Sequence, residues 1–117
     1  MRIAVVVVVA LGAIAAAGPP AKTPALLATG KAIYEGSAAG CWACHGYTGE
    51  GNGPVAFALK PPPRNFRKDP FKGGDTVANV FATITNGLAG TQMVSYARLP
   101  EADRWALAHY VLGFRTK

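Results

Sequence analysis

The stretch Gly40-Cys41-Trp42-Ala43-Cys44-His45-Gly46 decides how this chain is read. Two thiols stand three positions apart, and an imidazole directly follows the second. A disulfide at this spacing closes almost no loop and so stabilises little. A thioredoxin-like redox pair needs a strand–helix–strand setting. A zinc site would find only one further histidine in the chain, His109, to complete its ligands. The C-x-x-C-H spacing fits covalent attachment of haem c instead: two thiols add across two porphyrin vinyl groups, and the adjacent His45 reaches the iron.

Working outward, the segments on either side read as helices. From Leu26 to about Ala39, the residues Leu26, Gly30, Ile33, Tyr34 and Ser37 recur at the spacing of one helical face, and Gly40 is read as the stop. Gly30 weakens a helix interior, so its place on that face points to close approach by another helix. Beyond the cysteines, Gly46–Pro54 holds four glycines and reads as a tightly turning loop. Val55–Leu59 suits one short helical turn, and Pro61-Pro62-Pro63 stiffens the chain into an extended segment. Asp75 is the expected N-cap of a helix carrying Val77, Val80, Phe81 and Ile84, with Asn86-Gly87 ending it. Leu99-Pro100-Glu101 opens a last helix whose stripe is Leu107, Tyr110, Val111 and Phe114, suited to meet Gly30 and Tyr34.

No alternating strand pattern and no repeat occurs. The expected fold class is all-α: three main helices with long loops. Such loops count against a small helical domain unless they wrap something large.

Between the last two helices lies Gly87-Leu-Ala-Gly-Thr-Gln-Met-Val-Ser-Tyr96, which carries Met93. A methionine in a polar, glycine-containing loop is poorly placed as core filler, so Met93 is the expected sixth ligand of the iron, opposite His45. His109 projects away from the apolar stripe of its helix and is expected at the surface. Trp105 also lies off that stripe, and its role is open between covering the cofactor and covering a loop.

The ends and the composition bear on location and stability. Residues 1–17 combine a basic start, an apolar run and small residues at Ala15 and Ala17, the parts of a secretory signal. The run is shorter than a membrane-spanning helix requires. The expected organisation is a signal segment at 1–17 (an uncleaved anchor being the alternative), a flexible leader at 18–25 and one domain at 26–117. Export to the periplasm follows from it. Fifteen of the first 17 residues are apolar, against 44 of the remaining 100, and 16 of those 44 are alanine. So few large apolar side chains call for a cofactor at the centre of the core. Without Arg2 the net charge is +5, and the positives concentrate in Lys60, Arg64, Arg67, Lys68 and Lys72. Export and the lack of an aromatic-interleaved module argue against nucleic acid, leaving an acidic protein partner or a solvated face.

Together these residues resemble the small class I c-type cytochromes of bacteria over roughly Thr29–Phe114. The resemblance rests on Gly30-Lys-Ala-Ile-Tyr34, Cys41-Trp-Ala-Cys-His-Gly46, Gly49-Glu-Gly-Asn-Gly-Pro54, Leu59-Lys-Pro-Pro-Pro-Arg-Asn-Phe66, Gly90-Thr-Gln-Met93 and Leu107-Ala-His-Tyr-Val111. It implies the cytochrome c fold with crossed terminal helices, one haem c held by Cys41 and Cys44, and iron between His45 and Met93. It also implies that a carbonyl of Pro54, or of Pro61–Pro63, holds the second nitrogen of His45. Arg64 would meet a haem propionate. Val94 departs from the proline that often follows the ligand methionine in this family.

A filled sixth position leaves no site for a small-molecule substrate. The expected function is one-electron transfer between exported redox proteins, with no enzyme activity. The protein is then a free monomeric carrier or the haem subunit of a larger oxidoreductase complex. A gas-binding or peroxidatic haem protein requires Met93 to be core instead. The Lys60–Lys72 stretch is the candidate docking face.

Overall fold

The computed structural model describes residues 3–4 and 18–116. The signal segment expected at 1–17 lies, but for Ile3 and Ala4, outside the described residues. Among the described residues four helices follow in order: α1 (Pro24–Glu35), α2 (Cys41–His45), α3 (Val77–Asn86) and α4 (Glu101–Gly113). Short 3-10 turns occupy Ala56–Ala58 and Phe114–Thr116, and no strand occurs among the described residues.

The helix boundaries follow capping chemistry, and three differ from the sequence expectation. α1 begins at Pro24, not Leu26, because the Thr23 side chain accepts from the Leu26 N–H and Pro24 sits where no N–H is needed. It ends at Glu35 with Gly36 as its cap, so Ser37 is outside it. Gly40 does not stop α1; at φ 64° it starts α2. α3 is capped by Thr76 rather than Asp75, with the Thr76 hydroxyl accepting from the Asn79 N–H. The short helical turn expected within Val55–Leu59 is a 3-10 turn at Ala56–Ala58, and the stop at Gly87 is where the pattern placed it.

α1 and α4 cross at Gly30. A Cβ there would lie 2.8 Å from the Ala106 carbonyl carbon and from Tyr110 Cβ, and closer still to the Ala106 oxygen. Only hydrogen fits, so the backbones come together and Tyr34 slots against the Leu107 stripe. Tyr34 and Leu107 are fully buried, and the Tyr34 ring contacts Tyr110 and Phe114 at centroid distances of 5.2 and 5.4 Å. α3 adds Val80 and Ile84 to the same core. Trp105 is not among the residues lining the cleft; it stacks on Phe81 of α3 at 3.7 Å, joining α3 to α4.

Candidate haem site

Three core-forming helices leave a large cleft between them. It encloses about 1120 Å³ of space, part of it continuous with solvent, and is lined mainly by apolar side chains. Tyr34, Phe66, Val80, Ile84, Leu107 and Val111 belong to the core and yet face this cleft. Cys41, Cys44 and His45 line it from one side, and Met93 lines it from the loop between α3 and α4.

Each of these residues is held by identifiable contacts. The end of α2 is tied to α1 because Tyr34 Oη donates to the Gly46 carbonyl at 2.6 Å, and the turn leading into α2 is tied to the Met93 loop because Tyr96 Oη donates to the Ala39 carbonyl at 2.8 Å. The two cysteines are free thiols. Burial pushes the Cys41 thiol up to about 11 and also raises that of Cys44.

His45 is the most constrained. Its Nδ1 lies 3.1 Å from the Arg64 carbonyl oxygen. A carbonyl can only accept, so Nδ1 carries the hydrogen and Nε2 keeps its lone pair. Burial holds the ring below its ordinary pKa, partly offset by that hydrogen bond. Phe66 stacks on the ring at 4.2 Å and fixes its plane.

The carbonyl partner is a correction to the sequence reading. It belongs to Arg64, not to Pro54 or to any of Pro61–Pro63. The loop Gly46–Pro54 delivers it: Gly51 N–H donates to the His45 carbonyl, and Gly51 lies so close to the Pro63 and Arg64 backbone that a Cβ would be 2.8 Å from the Pro63 oxygen. Phe66 N–H then donates to the Gly49 carbonyl at 2.7 Å. The signal available in the sequence was the Pro61–Pro63 brace, which sets Arg64 just after a stiff segment.

The Met93 loop is closed across its base despite lacking a proline at Val94. Leu88 N–H donates to the Met93 carbonyl at 3.0 Å, Met93 N–H donates to Thr91 Oγ1 at 3.1 Å, and Tyr96 N–H donates to the Ile84 carbonyl at 2.9 Å. His109 is not brought to the cleft. It is half-buried, its Nε2 donates to the Pro20 carbonyl at 2.9 Å, and it lines a separate depression with Lys22 and Asp75. Among the described residues, no three His, Cys, Asp or Glu side chains converge as a zinc site would require.

The family model for cytochrome c matches residues 27–114. The chain belongs to the cytochrome c family. Membership implies covalent haem c with its iron, and an electron-transfer role. The cleft fits that group: it is apolar, cut into a core whose own side chains line it, and bordered by two free thiols at the attachment spacing. Among solved structures, the chain is similar to a subunit of the reducing HAO-like protein complex of Kuenenia stuttgartiensis. The two are 38% identical with a TM-score of 0.75, over 83% of this chain and 47% of that one. This cytochrome therefore spans about half the length of that subunit. No curated protein sequence matches it significantly.

The expected docking stretch is not one uniform basic face. Lys60, Lys68 and Lys72 are exposed, whereas Arg64 and Arg67 are half-buried. Arg64 and Lys72 also line the cleft.

Proposed function

We propose that this cytochrome is a one-electron carrier in which Cys41 and Cys44 attach haem c while His45 and Met93 hold its iron. When bound, the group supplies one reversible oxidation step, and a thioether ligand biases it toward the reduced state. The observation that carries the reading is that these four residues, from two distant parts of the chain, line one apolar cleft in which His45 presents an unprotonated Nε2. The chain's own contribution is to fix the imidazole tautomer through Arg64, to brace the ring with Phe66, and to exclude water with the surrounding core. With His45 and Met93 both holding the iron, no open position would remain for a substrate, which favours a carrier over an enzyme.

Within that reading, the haem subunit of a larger complex has one specific observation in its favour, the likeness to a chain of a multi-subunit assembly. Export to the periplasm is proposed on residues 1–17, with 18–25 as leader and 26–117 as the domain.

The test is the absorption spectrum of the purified holoprotein. A far-red charge-transfer band in the ferric form, lost in Met93→Ala, is the expected result. Carbon monoxide binding to the reduced wild-type protein would overturn the ligand assignment. Haem that separates from the chain on denaturation would overturn the attachment.

A further inference from the structure

The loop that carries Met93 is held on two sides, and one hold is built by residues outside the ligand set. On the α3 side, Tyr96 N–H donates to the Ile84 carbonyl at 2.9 Å and Ser95 Oγ donates to the Thr85 carbonyl at 2.6 Å. On the other side, Tyr96 Oη donates to the Ala39 carbonyl at 2.8 Å and Arg98 Nη2 donates to the Ala38 carbonyl at 2.9 Å. The Arg98 guanidinium also lies over the Tyr96 ring, 5.0 Å from its centroid, so the two side chains support each other.

Two consecutive carbonyls of one turn are thus gripped by two side chains two positions apart. That turn is closed by Gly40 N–H on the Gly36 carbonyl at 3.0 Å and leads directly into Cys41. The two grips span 57 and 60 residues of chain. They join the segment carrying both cysteines and His45 to the segment carrying Met93. Gly40, Cys41 and Tyr96 line the cleft together, so the clasp sits at its edge. The Met93 backbone bonds to Leu88 and Thr91 of its own loop, which fixes the shape of the loop. The link across to α2 is the clasp. Ala39 is buried, so its carbonyl left without a donor would carry a desolvation cost.

We infer that Tyr96 and Arg98 are positioning residues for the sixth ligand: they clasp the Met93 loop to the turn ahead of Cys41 and hold Met93 in place against competing ligands. The inference deepens the carrier reading and rests on Met93 as ligand. The clasp is made while the loop is closed and lost when it opens. Removing it raises the open fraction, and the apparent affinity for a competing ligand rises by the same factor.

Imidazole titration of the ferric holoprotein at pH 7, followed by loss of the far-red band, provides the test. Tyr96→Phe keeps the ring and removes the hydroxyl; one hydrogen bond of this kind corresponds to about a fivefold change, so imidazole should bind about fivefold more tightly. Arg98→Ala should tighten binding about two- to fivefold, and Arg98→Lys, which keeps a cation, should return it toward the wild type. Every variant should keep full covalent haem and the far-red band before imidazole is added. Gly30→Ala separates the clasp from general loosening, since it strains the α1–α4 crossing and leaves the Met93 loop untouched; its imidazole affinity should match the wild type. Unchanged affinity in Tyr96→Phe, or equal tightening in Gly30→Ala, would overturn the clasp. Failure of Arg98→Lys to restore the wild-type affinity would overturn the part given to Arg98. A wild type that lacks the far-red band and binds imidazole as tightly as Met93→Ala overturns the ligand reading itself, a result distinct from an intact band whose variants bind imidazole no better.

Discussion

Replacing Gly30 by alanine sets two physical effects against each other at the helix crossing. In an open helix the change stabilises by about 1 kcal/mol, the difference in propensity between glycine and alanine. Here the new methyl would stand 2.8 Å from Tyr110 Cβ and from the Ala106 carbonyl carbon, with the Ala106 oxygen nearer still. Ordinary carbon–carbon contact is about 3.5–4.0 Å, so α1 and α4 must separate by roughly 1 Å. The obstacle is backbone and a Cβ, which no rotamer change relieves. Separation also loosens Tyr34 and Leu107, the two fully buried large side chains. Overpacking of this kind costs about 1–3 kcal/mol and sits at the upper end of that range where backbone must move, which exceeds the propensity gain. The expected net loss is about 1–2 kcal/mol, a melting temperature lower by roughly 5–15 °C for a domain of this size. Thermal unfolding of the holoprotein, followed by far-ultraviolet circular dichroism, measures it. Gly113→Ala is the control, since a Cβ there meets nothing within 4 Å; it should be neutral or stabilising. A Gly30→Ala protein as stable as the wild type would refute the crossing geometry.

Other perturbations separate ligand placement from general stability. Gly87 has φ 72°, and a Cβ on it would lie 2.6 Å from the Met93 carbonyl oxygen; Gly87→Ala should weaken the far-red ferric band while covalent haem content stays full. Tyr34→Phe leaves the Gly46 carbonyl without its donor and should cost about 1–2 kcal/mol at pH 7 by denaturant titration. Burial raises the Tyr34 pKa far above its ordinary value, so its contribution is complete below about pH 10 and falls as pH rises beyond it. The wild type should therefore lose stability steadily above pH 10, and Tyr34→Phe should lose less over the same range. Phe66→Ala removes the ring stacked on His45 and part of the core; a loss of about 3 kcal/mol is expected by the same titration.

What the amino-acid order shows by itself is the pattern that sits close in sequence. Cys41, Cys44 and His45 carry the proposed roles together because two attachments and one ligand would fall within a single helical turn. The face Gly30–Tyr34 and the stripe Leu107–Phe114 are equally legible, since a buried helix face repeats at a period that sequence displays directly. Met93 was accessible as an expectation because a methionine in a polar loop is out of place unless something binds it.

Other features are decided by groups that carry no signature of their own. The partner of His45 is a backbone carbonyl, which every residue possesses, so only the path of the chain past Gly51 selects Arg64. The caps at Thr23 and Thr76 replace nearby alternatives by a shift of one or two residues, a choice made by local hydrogen-bond geometry. The basic stretch reads as one face in sequence, yet folding half-buries Arg64 and Arg67 and leaves three lysines outside. The exposure of Phe57 is likewise tertiary: its turn is pinned against α2 and leaves the ring 87% exposed. Sequence supplies the side chains that do chemistry; their second partners and their exposure come from loops whose closure depends on contacts far apart in the chain.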